Sequence, residues 1–203
     1  MTTHDFNDGN GPIPAHQHSN GGGWVADTAT VVDTAYVELN AKVFGNALVF
    51  DKALVFGNAL VFDKALVYGN AEVSGNARVY GNALVSDNAK VFGNAKVFRN
   101  ARVFGNAKVY GNAKVFRNAK VFGNARVYGD AKVSKTPVRI SRSDNYDFII
   151  VPCADNVDRI IAGCHYFTLE ESYNHWNKEH PRYEETTIIL EALKKLYELQ
   201  KTS

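Results

Sequence analysis

Residues 88–99 read Asn88-Ala89-Lys90-Val91-Phe92-Gly93-Asn94-Ala95-Lys96-Val97-Phe98-Arg99, a six-residue unit written twice, with arginine in place of the final glycine the second time. The unit extends in both directions. Valine recurs every sixth residue from Val25 to Val133, nineteen times without a miss, and alanine at the same interval from Ala29 to Ala131, eighteen times. A period of six does not fit a helix of 3.6 residues per turn, which would spread the valines over every side. It fits a short strand followed by a corner. Within Ala-Lys-Val-Phe, side chains alternate, so Ala and Val point one way and Lys and Phe the other. Gly-Asn then turns the chain, because both residues tolerate the left-handed backbone of a tight corner.

Three corners close a triangle, so one coil takes eighteen residues. Coils stacked at strand spacing, roughly 4.8 Å, make a rod on the order of 29 Å long from six coils. Val and Ala on all three inner walls leave a thin, dry prism with no room for a ligand inside. The expected organisation is an irregular, flexible arm over residues 1–23, a parallel β-helix over 24–136 and an α+β cap over 137–203.

This repeat resembles the hexapeptide repeat of left-handed parallel β-helix proteins, with Val at the inward aliphatic position and Ala at the inward small one. The resemblance, which covers roughly residues 25–135, implies the left-handed coil. It says little about activity, since the same rod serves acyltransferases, γ-type carbonic anhydrases and non-catalytic proteins. The layout of the whole chain also resembles hexapeptide-repeat proteins encoded in tailed phages and prophages. The residues that carry this are His16-Gln17-His18-Ser19-Asn20-Gly21-Gly22-Gly23-Trp24-Val25-Ala26, then Ala162-Gly163-Cys164-His165-Tyr166-Phe167-Thr168 and His175-Trp176.

Strand edges at the ends of a rod invite aggregation, so caps are expected. Trp24 is expected to cover the first coil. At the far end, apolar runs over 148–153 and 159–164 flank a turn at 154–157 and read as a hairpin. Pairing 153 with 158 sets Cys164 opposite Asp147, which holds Cys153 and Cys164 roughly 20 Å apart and argues against a disulfide. Thr168-Leu169-Glu170-Glu171 is a capping box that opens a helix to about Lys178. After Pro181, residues 184–200 form a second helix with Ile189, Leu193, Leu196 and Tyr197 on one stripe.

Net charge is +2, but it is unevenly spread. Residues 1–87 carry four Lys/Arg and nine Asp/Glu, residues 88–135 carry eleven and one, and residues 136–203 carry eight and eleven. The early coils place leucine at the outward position beside the aromatic residue, so strands such as Ala47-Leu48-Val49-Phe50 are apolar on both sides. Leu48, Phe50, Leu54, Phe56, Leu60, Phe62, Leu66 and Tyr68 are therefore the candidate contacts for a partner or a second copy. Soluble monomers rarely leave such surface open. In the later coils that position is basic. Arg99, Arg117 and Lys135, eighteen residues apart, share one edge beside Lys96, Phe98, Lys114 and Phe116. That ridge is the candidate site for nucleic acid, a nucleotide or another anion.

Catalysis has less support. Residues 25–135 contain no histidine, whereas both hexapeptide acyltransferases and γ-type carbonic anhydrases use histidines borne on the coils. His16 and His18 could give two metal ligands, but from an arm too flexible to hold them. No cofactor and no metal are expected. The sequence holds no stretch of the ~18 apolar residues that span a bilayer. The first residues have no secretory character, which points to the cytoplasm of an infected or lysogenic bacterium, with a virion as the other location. The reading is a non-catalytic rod of phage or prophage type that binds a protein partner or assembles into a homo-oligomer, a trimer being one form. Binding of nucleic acid or nucleotide, to counteract a host pathway, is the alternative. An atypical acyltransferase is the second.

Overall fold

A computed structural model describes residues 2–153 and 155–202. The turn expected at 154–157 therefore lies partly outside the described residues, at Ala154. The repeat builds a rod with three parallel sheets. The first face runs through Trp24–Ala26, Lys42–Val43, Leu60–Val61, Arg78–Gly81, Lys96–Arg99, Lys114–Val115 and Lys132–Val133. The second face runs from Thr30–Val31 through Leu48–Val49, Leu66–Val67, Leu84–Val85 and Arg102–Val103 to Lys120–Val121. The third runs from Tyr36–Val37 through Leu54–Val55, Glu72–Val73, Lys90–Val91 and Lys108–Val109 to Arg126–Val127. Every register is a shift of eighteen, as in Val97↔Val115, so each valine stacks on a valine. Backbone hydrogen bonds run along the rod. Lys96 N–H, for example, donates to Ala113 O at 2.9 Å.

The interior is closed. From Val37 to Ala119 every repeat valine and alanine is fully buried. β-branched side chains stacked on their own kind fill a pleated inner wall and lose little rotamer freedom there. At the corners the chain takes positive φ. At Gly75 (φ 66°) an added Cβ would stand 3.1 Å from Gly93 N, so the stack leaves no space for one. Asp51, Asp63 and Asp87 also adopt this conformation, with φ of 58–60°. Each offsets the strain by accepting a hydrogen bond from the next coil, Gly69 N–H to Asp51 Oδ2 at 3.0 Å being one. The following asparagines form ladders. Asn76 Nδ2 donates to Asn94 Oδ1 (3.1 Å), Asn94 to Asn112 (3.2 Å) and Asn112 to Asp130 (3.1 Å).

Outside, the aromatic residues stack. Phe44, Phe62, Tyr80, Phe98 and Phe116 lie with ring centroids 4.8–5.2 Å apart and planes within 7°. Phe92, Tyr110 and Tyr128 stack on the third face, and Phe104 and Phe122 on the second, with centroids 4.8–5.3 Å apart and planes within 14°.

The N-terminal segment is not the irregular arm expected. Thr3–His4 and Ile13–Gln17 are strands, and the latter pairs antiparallel with Trp24–Ala26. The reason is the first coil itself, which presents an unpaired strand edge on the first face that the preceding chain folds back to satisfy. Phe6 extends the first-face ladder by stacking on Phe44 at 4.9 Å. Trp24 does not cover the coil. It stands outside on the first face, in register with Lys42, with His4 stacked on it at 4.3 Å. Residues 18–23 lie over the coil instead. Gly23 N–H donates to Val37 O (2.9 Å), and Asn20 Nδ2 to Ala35 O (2.9 Å).

The far end is closed by a four-stranded antiparallel sheet of Val138–Ser141, Asp147–Val151, Arg159–Ala162 and His165–Thr168. The hairpin register differs by one from the expected pairing, with Val151 opposite Arg159 and Phe148 opposite Ala162. The last coil causes this. It takes Pro152 O for the N–H of Lys132 (2.7 Å) and bridges Ala131 to Cys153, so the hairpin ladder stops at Val151. A one-residue slip exchanges the two faces of a strand. In the observed register Ile149, Val151, Cys153 and Ile161 pack on the coil end. Phe148, Ile150, Ile160 and Ala162 pack under the helices.

The capping box is present. Glu171 N–H donates to Thr168 Oγ1 (3.1 Å), and Thr168 N–H to Glu171 Oε2 (2.7 Å). Helix α1 (Leu169–His175) stops before the expected Lys178. Trp176 leaves helical geometry and lies buried against Phe148, with ring centroids 5.1 Å apart. Helix α2 (Tyr183–Thr202) buries Thr186, Ile189, Leu190, Leu193 and Tyr197. Leu196 is off that stripe and 47% exposed, because the sheet contacts α2 through the turn positions of Leu190, Leu193 and Tyr197. Cys153 is buried and Cys164 exposed, and both are free. No helix among the described residues is long and apolar enough to cross a membrane.

Candidate interaction surfaces

The eight apolar candidates do not share a face. Leu48, Phe50, Leu66 and Tyr68 lie together on the second face. With Val32 they line one shallow depression, and Leu84 continues the leucine column. Leu54 and Phe56 lie on the third face, where the column passes to Glu72 and Lys90, an ion pair at 2.6 Å. Leu60 and Phe62 are on the first face and are half-buried, like the candidates of the second face. They pack against the cluster of Phe6, Ala15, Ala26 and Phe44 at the N-terminal end of that face. The leucines that run unbroken through three coils are those of the second face, where Val32, Leu48, Phe50, Leu66, Tyr68 and Leu84 form one stripe. The spacing of eighteen already assigns these columns. The packing of Leu60 against the cluster of Phe6 and Ala15 joins residues some fifty positions apart, which no local pattern signals.

The basic candidates do come together. Lys96 and Lys114 are register partners on the first face. Arg99 and Arg117 follow at its edge, both exposed. Among the described residues neither has a carboxylate within ion-pair distance. Both hold φ near 60° without glycine's freedom and without the carboxylate bond that supports the aspartate corners. Such strain is a pointer to a role other than stability. Arg99→Gly and Arg117→Gly should each stabilise the rod by roughly 0.5–1 kcal/mol, relief of left-handed strain outweighing glycine's larger unfolded freedom. Urea melts of the single variants check this.

Lys135 leaves the ridge of Arg99 and Arg117, because its Nζ reaches across to donate to Gln200 O (2.7 Å) near the end of α2. Phe98 is not a stacking platform either, and Phe116 carries a ring on one face only. Phe98 is covered on both faces by Tyr80 and Phe116 (5.0 and 5.2 Å). Arg117 lies 5.8 Å from the Phe116 centroid. The ladder therefore presents ring edges to solvent, and a base could not stack between its members.

Residues 71–87 and 77–91 match the family model described as the YdcK beta solenoid repeat. The rod is a β-solenoid. The match covers a short part of it, so the likeness is one of repeat and fold. No curated protein and no solved structure matches the chain. Among the described residues no group of three or more His, Cys, Asp or Glu is placed to hold a metal ion. His16 and His18 do not converge on a common point. His16 Nδ1 pairs with Asp27 Oδ1 (2.9 Å), while His18 is buried with Nε2 on Ala35 O (3.1 Å).

Histidines do stand at both caps of the solenoid. His165 and His175 lie 4.4 Å apart beside Phe167 and Trp176. Burial, and then the neighbouring His175, holds His165 below its ordinary value of 6.5. Burial, and then Lys42, does the same to His4, with Asp5 opposing. A histidine whose folded value is depressed takes up its proton more readily unfolded. Its contribution is complete above pH 6.5 and is lost as pH falls towards the depressed folded value. The melting temperature should therefore drop between pH 7 and pH 5.5. His165→Gln should flatten that dependence in a thermal-melt series.

Proposed function

We propose that the protein is a non-catalytic rod of phage or prophage type that works by contact, and that the apolar stripe on its second face is the contact surface. The observation that carries this reading is a β-solenoid with a sealed Val/Ala interior whose early strands are also apolar outside. Leu48, Leu66 and Leu84 there lie beside Phe50 and Tyr68. An apolar stripe with a basic continuation at Arg102 and Lys120 fits a protein surface or a second copy. The assembly proposed is a homo-oligomer, with a trimer as one form, and its location the cytoplasm of an infected or lysogenic bacterium. The phage assignment rests on the resemblance of the segments before and after the rod.

The test is native mass spectrometry of gently purified protein and of a Leu48→Lys, Leu66→Lys variant. A wild-type multimer or protein complex that the variant loses supports the reading. A wild-type monomer with nothing attached, indistinguishable from the variant, overturns it. Thermal protection by coenzyme A would restore the acyltransferase reading.

The two left-handed arginines favour a second reading, an anionic partner at the edge formed by Lys96, Arg99, Lys114 and Arg117. Binding of a single-stranded oligonucleotide should then weaken steeply with salt. It should lose affinity in the Arg99→Gly, Arg117→Gly double variant. Equal binding by the variant refutes it.

A further inference from the structure

Between the last coil and α2 lies a cleft of about 210 Å³, with Val133, Ser134 and Lys135 on one side and Ile150, Tyr197 and Lys201 on the other. Its position follows from the register. Val115 pairs with Val133, so Ser134 occupies the step of the first-face ladder that follows Phe116. The unit puts a ring at that position in most coils, and here it puts a hydroxyl.

The other ladders are closed by the cap. Tyr128 is followed by Tyr166, ring centroids 5.4 Å apart, and Phe122 by Arg139, 5.7 Å from its ring centroid. Among the described residues no ring stacks on Phe116 at the Ser134 step, and the cleft opens beside Ser134 against the Tyr197 ring of α2. A cavity of about 150 Å³ with apolar walls is enough to take up benzene.

The charge at this place is also specific. Lys201 Nζ is paired with Asp158 Oδ2 (2.5 Å), and Tyr197 Oη donates to Asp158 Oδ1 (3.0 Å). Asp158 and Lys201 neutralise one another. Lys135 spends one donor on Gln200 O (2.7 Å) and has no carboxylate partner among the described residues. An ammonium carries three donors, so two remain for a ligand. The cleft thus has apolar walls of Val133, Ile150 and the Tyr197 ring, and one uncompensated cation at its side.

We propose that this cleft binds a small aromatic anion, its ring beside Ser134 against the Tyr197 ring and its carboxylate or phosphate on Lys135. The inference is independent of the contact proposed for the second face, which lies at the other end of the rod. The repeat supplies clean variants, since Phe is common at the Ser134 position and Gly at the Lys135 position. Ser134→Phe fills the cleft and Lys135→Gly removes the cation, and both keep the repeat.

The experiment is an NMR titration of the full-length protein with indole-3-acetate, with indole and hexanoate as neutral and non-aromatic controls. Saturable one-to-one shifts at the amides of Ser134, Lys135 and Tyr197 are expected. Affinity should fall at least tenfold for indole and for Lys135→Gly, the loss of a charge-assisted contact. Binding should be absent in Ser134→Phe. No saturable binding at millimolar probe overturns the proposal. Shifts confined to the second face, or unchanged affinity in Ser134→Phe, also overturn it.

Discussion

Val97→Asp is expected to leave the protein unfolded or insoluble, while Lys96→Asp, one residue earlier, melts within a few degrees of wild type. Val97 is fully buried, on an inner wall made only of Val and Ala. A carboxylate there meets no donor, because the backbone N–H and C=O groups around it are already spent on the coils above and below. An unpaired charge in such a place costs several kcal/mol even after relaxation. Total stabilities of 5–15 kcal/mol leave little margin. Protonation of the Asp would lower the cost without removing it, since a buried hydroxyl without a partner is also penalised. Lys96 points outward between Arg78 and Lys114, where a carboxylate relieves like-charge crowding. Circular dichroism and thermal melts of the two variants check the pair. A folded Val97→Asp with a near-wild-type melt would contradict the closed interior.

The second large effect concerns the cap. A chain ending at Lys135 is expected to form end-to-end polymers or precipitate, although every coil is intact. In the full protein Ile149, Val151 and Ile161 cover the last coil, and Pro152 O and Cys153 satisfy part of its strand edge. Without residues 136–203 that edge is a template for another chain, and the stacked valines beneath it are open to water. Sedimentation velocity should show species far above the 22.4 kDa of the full-length chain. A soluble, compact truncated monomer would show that the cap is not needed to close the rod.

Most of the rod can be read from the sequence because its determinants are local and repeated. Val every six residues sets the inner wall, Gly-Asn sets the corners, and the shift of eighteen sets which side chains stack. The departures involve partners outside the repeat's own local pattern. Ile13–Gln17 is rich in nothing that marks a strand, yet it pairs with Trp24–Ala26 because the first coil needs an edge partner. The hairpin register follows the last coil's hold on Pro152 and Cys153, not the hairpin's own apolar pattern. Lys135 looked like the third member of a ridge, but its partner, Gln200, is sixty-five residues away. Leu196 fits a helical stripe by spacing, and only the contact of α2 with the sheet shows which stripe is the buried one.

The hydrogen bonds between the strands of the rod point along its axis, and this gives it an uneven mechanical character. Pulled from its two ends, the molecule loads one coil boundary at a time, since each strand is held only by the strands directly above and below it. It should yield like a ribbon peeled from a spool, releasing roughly 60 Å of chain per eighteen-residue coil. Pressed from the side, it meets a closed wall of valines packed as densely as a crystal.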